Sequence, residues 1–212
     1  SRCFICYGPV AHETFKSHIT LYSCMIITIS GDPGSGKSTA AKEIAKHLRL
    51  NHYSGGDMRG LLAKDHGMTI DELNKLGEND PSTDRDIDER IAKLGKEEDG
   101  FVIDSRLAWH FIPQSIKIYL TTDVRVAAQR IFKDIQLKDK APVDRSDEPE
   151  YKDVDDVVKH IKARVASDKK RYKKYYDIDH TDMSHYDLVL DTTALTLPQT
   201  VERILAFVQK FK

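Results

Sequence analysis

Beyond Cys24 the 212-residue chain contains no cysteine. Its three cysteines, Cys3, Cys6 and Cys24, are an odd set with no later partners. That excludes a disulfide framework and suits a reducing compartment, so the expected location is the cytoplasm. Cys3 and Cys6 form a CxxC, but no second CxxC and no nearby Cys/His pair completes a zinc set. No apolar run approaches the roughly 18 residues that would cross a membrane. An excess of one charge is missing too: 33 Lys and Arg stand against 34 Asp and Glu, a net charge of -1. Such a balance offers no global basic field for nucleic acid. The expected partners are therefore small molecules, with neither nucleic acid nor membrane, and the chain is expected to be a monomer. There is no internal repeat. What is present, 40% hydrophobic and 32% charged residues, is ordinary for a globular protein and long enough for one α/β domain.

The first 24 residues, "SRCFICYGPVAHETFKSHITLYSC", lack periodicity. Met25 stands directly before a strand-like run and is the expected native start. Residues 1–24 are then a non-native or disordered extension; Glu13 and the scarcity of Arg and Ser fit a transit peptide poorly. The expected domain is 25–212.

Along that domain, "MIITIS" (25–30), Asn51 to Ser54, "FVID" (101–104), "SIKIYLTT" (115–122) and "YDLVLDTT" (186–193) read as strands. Helices are expected over 56–66, 69–78, 80–99, 124–137, about 155–176, and after Thr196. Thr69 with Glu72, and Thr196 with Gln199, have capping-box spacing. In 80–99, Ile87, Ile91 and Leu94 predict a surface helix with most of its charges solvated. Segment 138–153 has two prolines, high charge and almost no apolar residues, which predicts a mobile loop. Strands alternating with helices predict an α/β fold, a three-layer sandwich around a parallel sheet of about five strands.

"GDPGSGKS", Gly31 to Ser38, satisfies GxxxxGK[ST] between a buried strand and a helix, the context that gives this pattern its meaning. Glycines turn the backbone N–H groups inward to make an anion nest, and the helix N-terminus adds partial positive charge. Gly31, Asp32, Pro33, Gly34, Ser35, Gly36, Lys37, Ser38 and Thr39 are the expected triphosphate-binding residues. Lys37 reaches the β- and γ-phosphates, and Ser38 supplies a hydroxyl for Mg²⁺. No NKxD base-reading motif follows on a strand end, which excludes a GTPase; a compact chain with a mobile charged segment suits a small-molecule kinase. Arg106 follows the strand "FVID" and lies near the carboxyl end of the sheet, where open α/β folds bind ligands. Asp104 ends the same strand and is placed to hold Mg²⁺ through water. Arg164, Asp168 and Arg171 lie at i, i+4 and i+7, one face of a helix.

Taken together, "ISGDPGSGKSTAAKEIAKHL", "YSGGDM", "VIDSRLAWHFI" and "RVASDKKRYKKYYDID" resemble the cytidylate kinases, in particular a short-lid archaeal and bacterial group. The resemblance covers about residues 25–212. It implies a P-loop nucleoside monophosphate kinase with an acceptor-binding helical insert, a short lid at about 138–153, ATP as donor and Mg²⁺. It implies that Arg106 grips the acceptor phosphate, that Arg164 and Asp168 meet the cytosine, and that Arg171 meets phosphate. Arg130 looks like the lid-hinge arginine bridging donor and acceptor; Ser54, Asp57 and Arg59 look like acceptor-site residues. Lys37, Arg106, Arg130 and Arg171 are the implied catalytic set. A carboxylate at Asp168 would accept from the exocyclic amine of cytosine and repel the carbonyl of uracil. Two positions depart from the family pattern: Ser105 replaces a glycine between the strand acid and Arg106, and Gly60 stands where many relatives have arginine.

Overall fold

The computed structural model describes residues 24–137 and 149–211. The expectations for residues 1–23, and for 138–148 of the lid, lie outside the described residues. Five strands, β1 (Ile26–Gly31), β2 (Asn51–Ser54), β3 (Phe101–Asp104), β4 (Ile116–Thr121) and β5 (Leu188–Asp191), form one sheet in the order β2-β3-β1-β4-β5. Every pairing is parallel. All six residues of β1 are buried, as befits a central strand covered on both faces.

Alternation along β1 builds two cores. Ile27 and Ile29 join Ala40, Ala41 and Ile44 of α1 (Lys37–Leu48) and Val201, Ile204 and Val208 of α8 (Leu197–Val208). Ile26, with Phe101 and Ile103 of β3, packs on the opposite face against Ile87 and Ile91 of α4 (Ser82–Glu97) and on Ala108 of α5 (Ala108–Phe111). The result is the expected helix–sheet–helix sandwich.

The helical insert follows β2 as α2 (Gly55–Asp65), α3 (Ile70–Gly77) and α4. Ser54 caps α2 by accepting from the Asp57 N–H, and the Thr69–Glu72 capping box opens α3 as its spacing predicts. In α4, Arg85, Asp86, Glu89 and Arg90 are exposed, but Asp84 and Asp88 are buried. These two aspartates, unlike most charges of that helix, sit inside its apolar stripe. Two long helices follow, α6 (Val124–Leu137) and α7 (Val154–Tyr176), the second capped by Asp153. The last strand is shorter than its apolar pattern, so Thr192 and Thr193 belong to the loop beyond it.

Candidate active site

A cavity of about 1050 Å³ opens at the carboxyl end of the sheet. That is at the top of the range for a single small ligand, large enough for two substrates brought together. Its donor end is built by main chain. The Gly31 backbone passes so close to β4 that a Cβ there would lie 2.3 Å from the Leu120 oxygen. Gly36 turns left-handed (φ 85) to start α1 with no side-chain cap, leaving the helix N-terminus open to an anion. Lys37 Nζ lies 3.4 Å from the Asp32 carbonyl oxygen, across the loop.

The Asp32 side chain faces elsewhere. Its carboxylate accepts from the Tyr119 hydroxyl (2.7 Å), the Thr121 hydroxyl (2.9 Å) and the Thr122 N–H (3.1 Å). Burial, then this carboxylate, pushes the Tyr119 phenol up, which keeps it a donor. Asp32 therefore fastens the loop to β4 rather than offering a contact to phosphate. Thr192 fastens the other side, donating to the Ser35 carbonyl at 3.0 Å. Arg130 lines the cavity but donates to the carbonyls of Thr192 (2.8 Å) and Thr193 (3.3 Å). It is thereby anchored beside the donor loop, whose Ser35 carbonyl Thr192 also holds.

Between the ends stands Asp104. Ser38 Oγ donates to its Oδ2 at 2.7 Å, while His52 Nε2 meets its Oδ1 at 2.7 Å. The Ser38 hydroxyl and the Asp104 carboxylate are hard oxygen donors in contact, a pair whose chemistry fits Mg²⁺. His52 was not singled out in the sequence. The signal available was parity along β2, which puts His52 on the face of Ser54, paired in register with Asp104.

The acceptor end is built by side chains from five segments. Arg59 of α2 donates to Asn74 of α3 (2.7 Å) and Asp84 of α4 (2.8 Å). Its Nη2 is buried without a hydrogen-bond partner, in a residue of the cavity wall. Arg106, just past β3, pairs with Asp168 of α7 at 2.8 Å. Arg171 pairs with both Asp84 and Asp168. Three guanidiniums on two carboxylates leave one positive charge over, next to a cavity. Burial alone would raise the Asp168 carboxyl, but Arg106, Arg171 and Arg164 outweigh it and hold it below the usual carboxylate range.

Within this cluster the positions differ from expectation. Arg59, Arg106, Arg164, Ser54 and Asp57 line the cavity. Asp168 and Arg171 are fully buried, 0% exposed, and stand behind the wall. Both Asp168 oxygens are ion-paired with arginines, although Oδ2 accepts no hydrogen bond. Arg171 holds Asp84 and Asp168 from outside the cavity lining. Spacing places these residues on one helix, and only tertiary packing decides whether a polar stripe faces solvent, cavity or core. Ser105 rests against Gly55, where an added Cβ would lie 2.9 Å from the serine Cβ. The bare Gly55 makes room for the side chain that replaces the family glycine.

A profile described as "Cytidylate kinase-like family" matches residues 26–194. The chain belongs to the cytidylate kinase-like family. The cytidylate kinase of Methanocella arvoryzae is 40% identical over 169 residues, covering 80% of this chain and 88% of that protein. Those of Halorubrum lacusprofundi (37% identical; 88% and 91% covered) and Methanothrix thermoacetophila (35%; 89% and 100%) are similar over still more of the chain. Solved structures share the fold: a Eubacterium ventriosum protein with TM-score 0.63 at 19% identity, and a Bacteroides thetaiotaomicron shikimate kinase with TM-score 0.58 at 14% identity, each covering 87% of this chain and 98% of its own. The resemblance carried by the motifs thus identifies the family.

Proposed function

We propose that the protein transfers the γ-phosphoryl group of ATP to CMP or dCMP, giving ADP and CDP or dCDP. One observation carries this reading: a cavity with an anion nest and Lys37 at one end holds Arg59 and Arg106 at the other. Family membership supports the choice of acceptor, since relatives 35–40% identical are named cytidylate kinases.

The nucleophile is a phosphate oxygen of CMP, already anionic, so no general base is needed. Its bond to the γ-phosphorus forms as the β,γ-bridging P–O bond breaks, and the electron pair leaves on the β-phosphate of ADP. Catalysis is then positioning and charge stabilisation. The loop amides and Lys37 hold the donor. Arg106, oriented by Asp168, and the open Nη2 of Arg59 hold the acceptor phosphate in line. Arg171 acts from behind by fixing Asp84 and Asp168, which in turn aim the two wall arginines. Ser38 and Asp104 would hold Mg²⁺, which when bound neutralises charge across the β- and γ-phosphates. Residues 25–212 work as one kinase domain.

An ADP-release assay across CMP, dCMP, UMP and AMP tests the reading. It predicts turnover with CMP or dCMP at least tenfold above the others in kcat/KM. A preference for AMP or UMP contradicts the acceptor; nucleotide binding with no transfer to any of the four contradicts the kinase.

A further inference from the structure

The expected base reader, Asp168, is fully buried and ion-paired with Arg106 and Arg171, outside the cavity lining. Resting on the proposed cytidine acceptor, we infer that Asp88 reads the pyrimidine, accepting from the exocyclic amine of cytosine at the acceptor end of the cavity. Among the wall carboxylates of that end, Asp84 is bound by Arg59 and Arg171, and Asp57 is exposed at the start of α2. Asp88 is different. It lines the cavity yet is only 9% exposed. Its one hydrogen bond among the described residues comes from the Tyr176 hydroxyl, 2.5 Å from Oδ2. No cation lies within ion-pair distance of it among those residues.

Arg59 and Arg171 act on Asp88 only from beyond ion-pair distance; a buried carboxyl with no cation in contact is costly, and one donor leaves most of its acceptor capacity unused. Tying α4 to α7 through Tyr176 would need only a neutral acceptor. A half-satisfied carboxylate in a cavity wall is completed by a donor that arrives with the ligand. The surroundings suit a base. Asp88 lies one helical turn beyond Asp84, which anchors the phosphate-facing Arg59, and Ile70 and Ile87 supply apolar wall for a ring. Burial raises the Asp88 carboxyl to about 7, against the pull of the Tyr176 hydrogen bond and of Arg59 and Arg171. The amine of cytosine donates to the ionised carboxylate and so favours that form; the O4 carbonyl of uracil is repelled by it.

Asp88→Asn tests this with the volume preserved. Tyr176 donates to the amide oxygen and so turns the NH2 toward the cavity, where it opposes cytosine and suits uracil. Loss of one hydrogen bond to a charged group predicts a fall of about 10- to 100-fold in kcat/KM for CMP. UMP should hold or gain, so the CMP/UMP ratio drops at least tenfold while the KM for ATP stays within threefold. Calorimetric titration of CMP and UMP reads the same ratio if transfer is lost altogether, and Asp88→Ser takes the place of a variant that fails to fold. A CMP/UMP ratio within threefold of wild type overturns the inference. Failure of wild type to prefer CMP overturns the acceptor reading instead, and the wild-type arm alone reveals it.

Discussion

The two ends of the cavity are made in opposite ways. At the donor end nine consecutive residues, Gly31 to Thr39, shape their own backbone into a cradle, with Asp32 and Thr192 as its outside fastenings. At the acceptor end Arg59, Asp84, Arg106 and the α7 pair Asp168 and Arg171 come from four separate segments and meet only in the folded state. A backbone cradle tolerates many side-chain changes around it. A side-chain cluster exists only while each charge has its partner, because a buried charge stripped of its counter-ion is heavily penalised.

The largest break in this symmetry is expected at Arg106→Ala. It removes the acceptor grip and should lower kcat by about 10³-fold or more, leaving ATP affinity within threefold; wild-type turnover in a coupled assay would refute its role. Next comes Arg171→Ala. This residue does not line the cavity, so its loss should appear first as stability: about 3–5 kcal/mol in urea denaturation, as Asp84 and Asp168 each lose a buried partner. A loss under 1 kcal/mol would mean the cluster tolerates the gap. A smaller effect sharpens the contrast through pH. Asp88 has a folded pKa of about 7 against about 3.9 unfolded. The folded state therefore holds the proton more tightly, and stability falls as pH rises from 4 to 7. Asp88→Asn removes that fall, so its advantage over wild type in thermal melts should be near zero at pH 4 and on the order of a few kcal/mol at pH 8. An advantage equal at both pH values would show that Asp88 is not titrating in that window.

The same division governs what was legible in the sequence. β1 and the loop after it could be read from local pattern alone, since β-branched residues, glycines and a following amphipathic helix follow one another without interruption. Strands "FVID" and Asn51 to Ser54 were found with their bounds, because glycine and charge enclose each. The short α5 carries too few residues to show a period. Asp84 and Asp88 were harder. Their i, i+3, i+4, i+7 placement with Ile87 and Ile91 puts them on the inward face, but a charge-rich helix invites the reading that aspartates are solvated. Arg171 and Asp168 share that difficulty: spacing put them on one face, while the identity of their partners depended on α4 and on Arg106, 62 or more residues away in the chain. Side-chain clusters closed over such separations leave no local period to read.

The central claim is that the two ends are separate sites in one cavity, one holding ATP through Lys37 and the loop, the other holding CMP through Arg106 and its network. Calorimetric titration of ATP and of CMP into wild type, Lys37→Ala and Arg106→Ala tests this most directly. The account predicts a double dissociation: Lys37→Ala weakens ATP by at least tenfold and CMP by less than threefold, and Arg106→Ala does the reverse. Equal weakening of both nucleotides in either variant would contradict it.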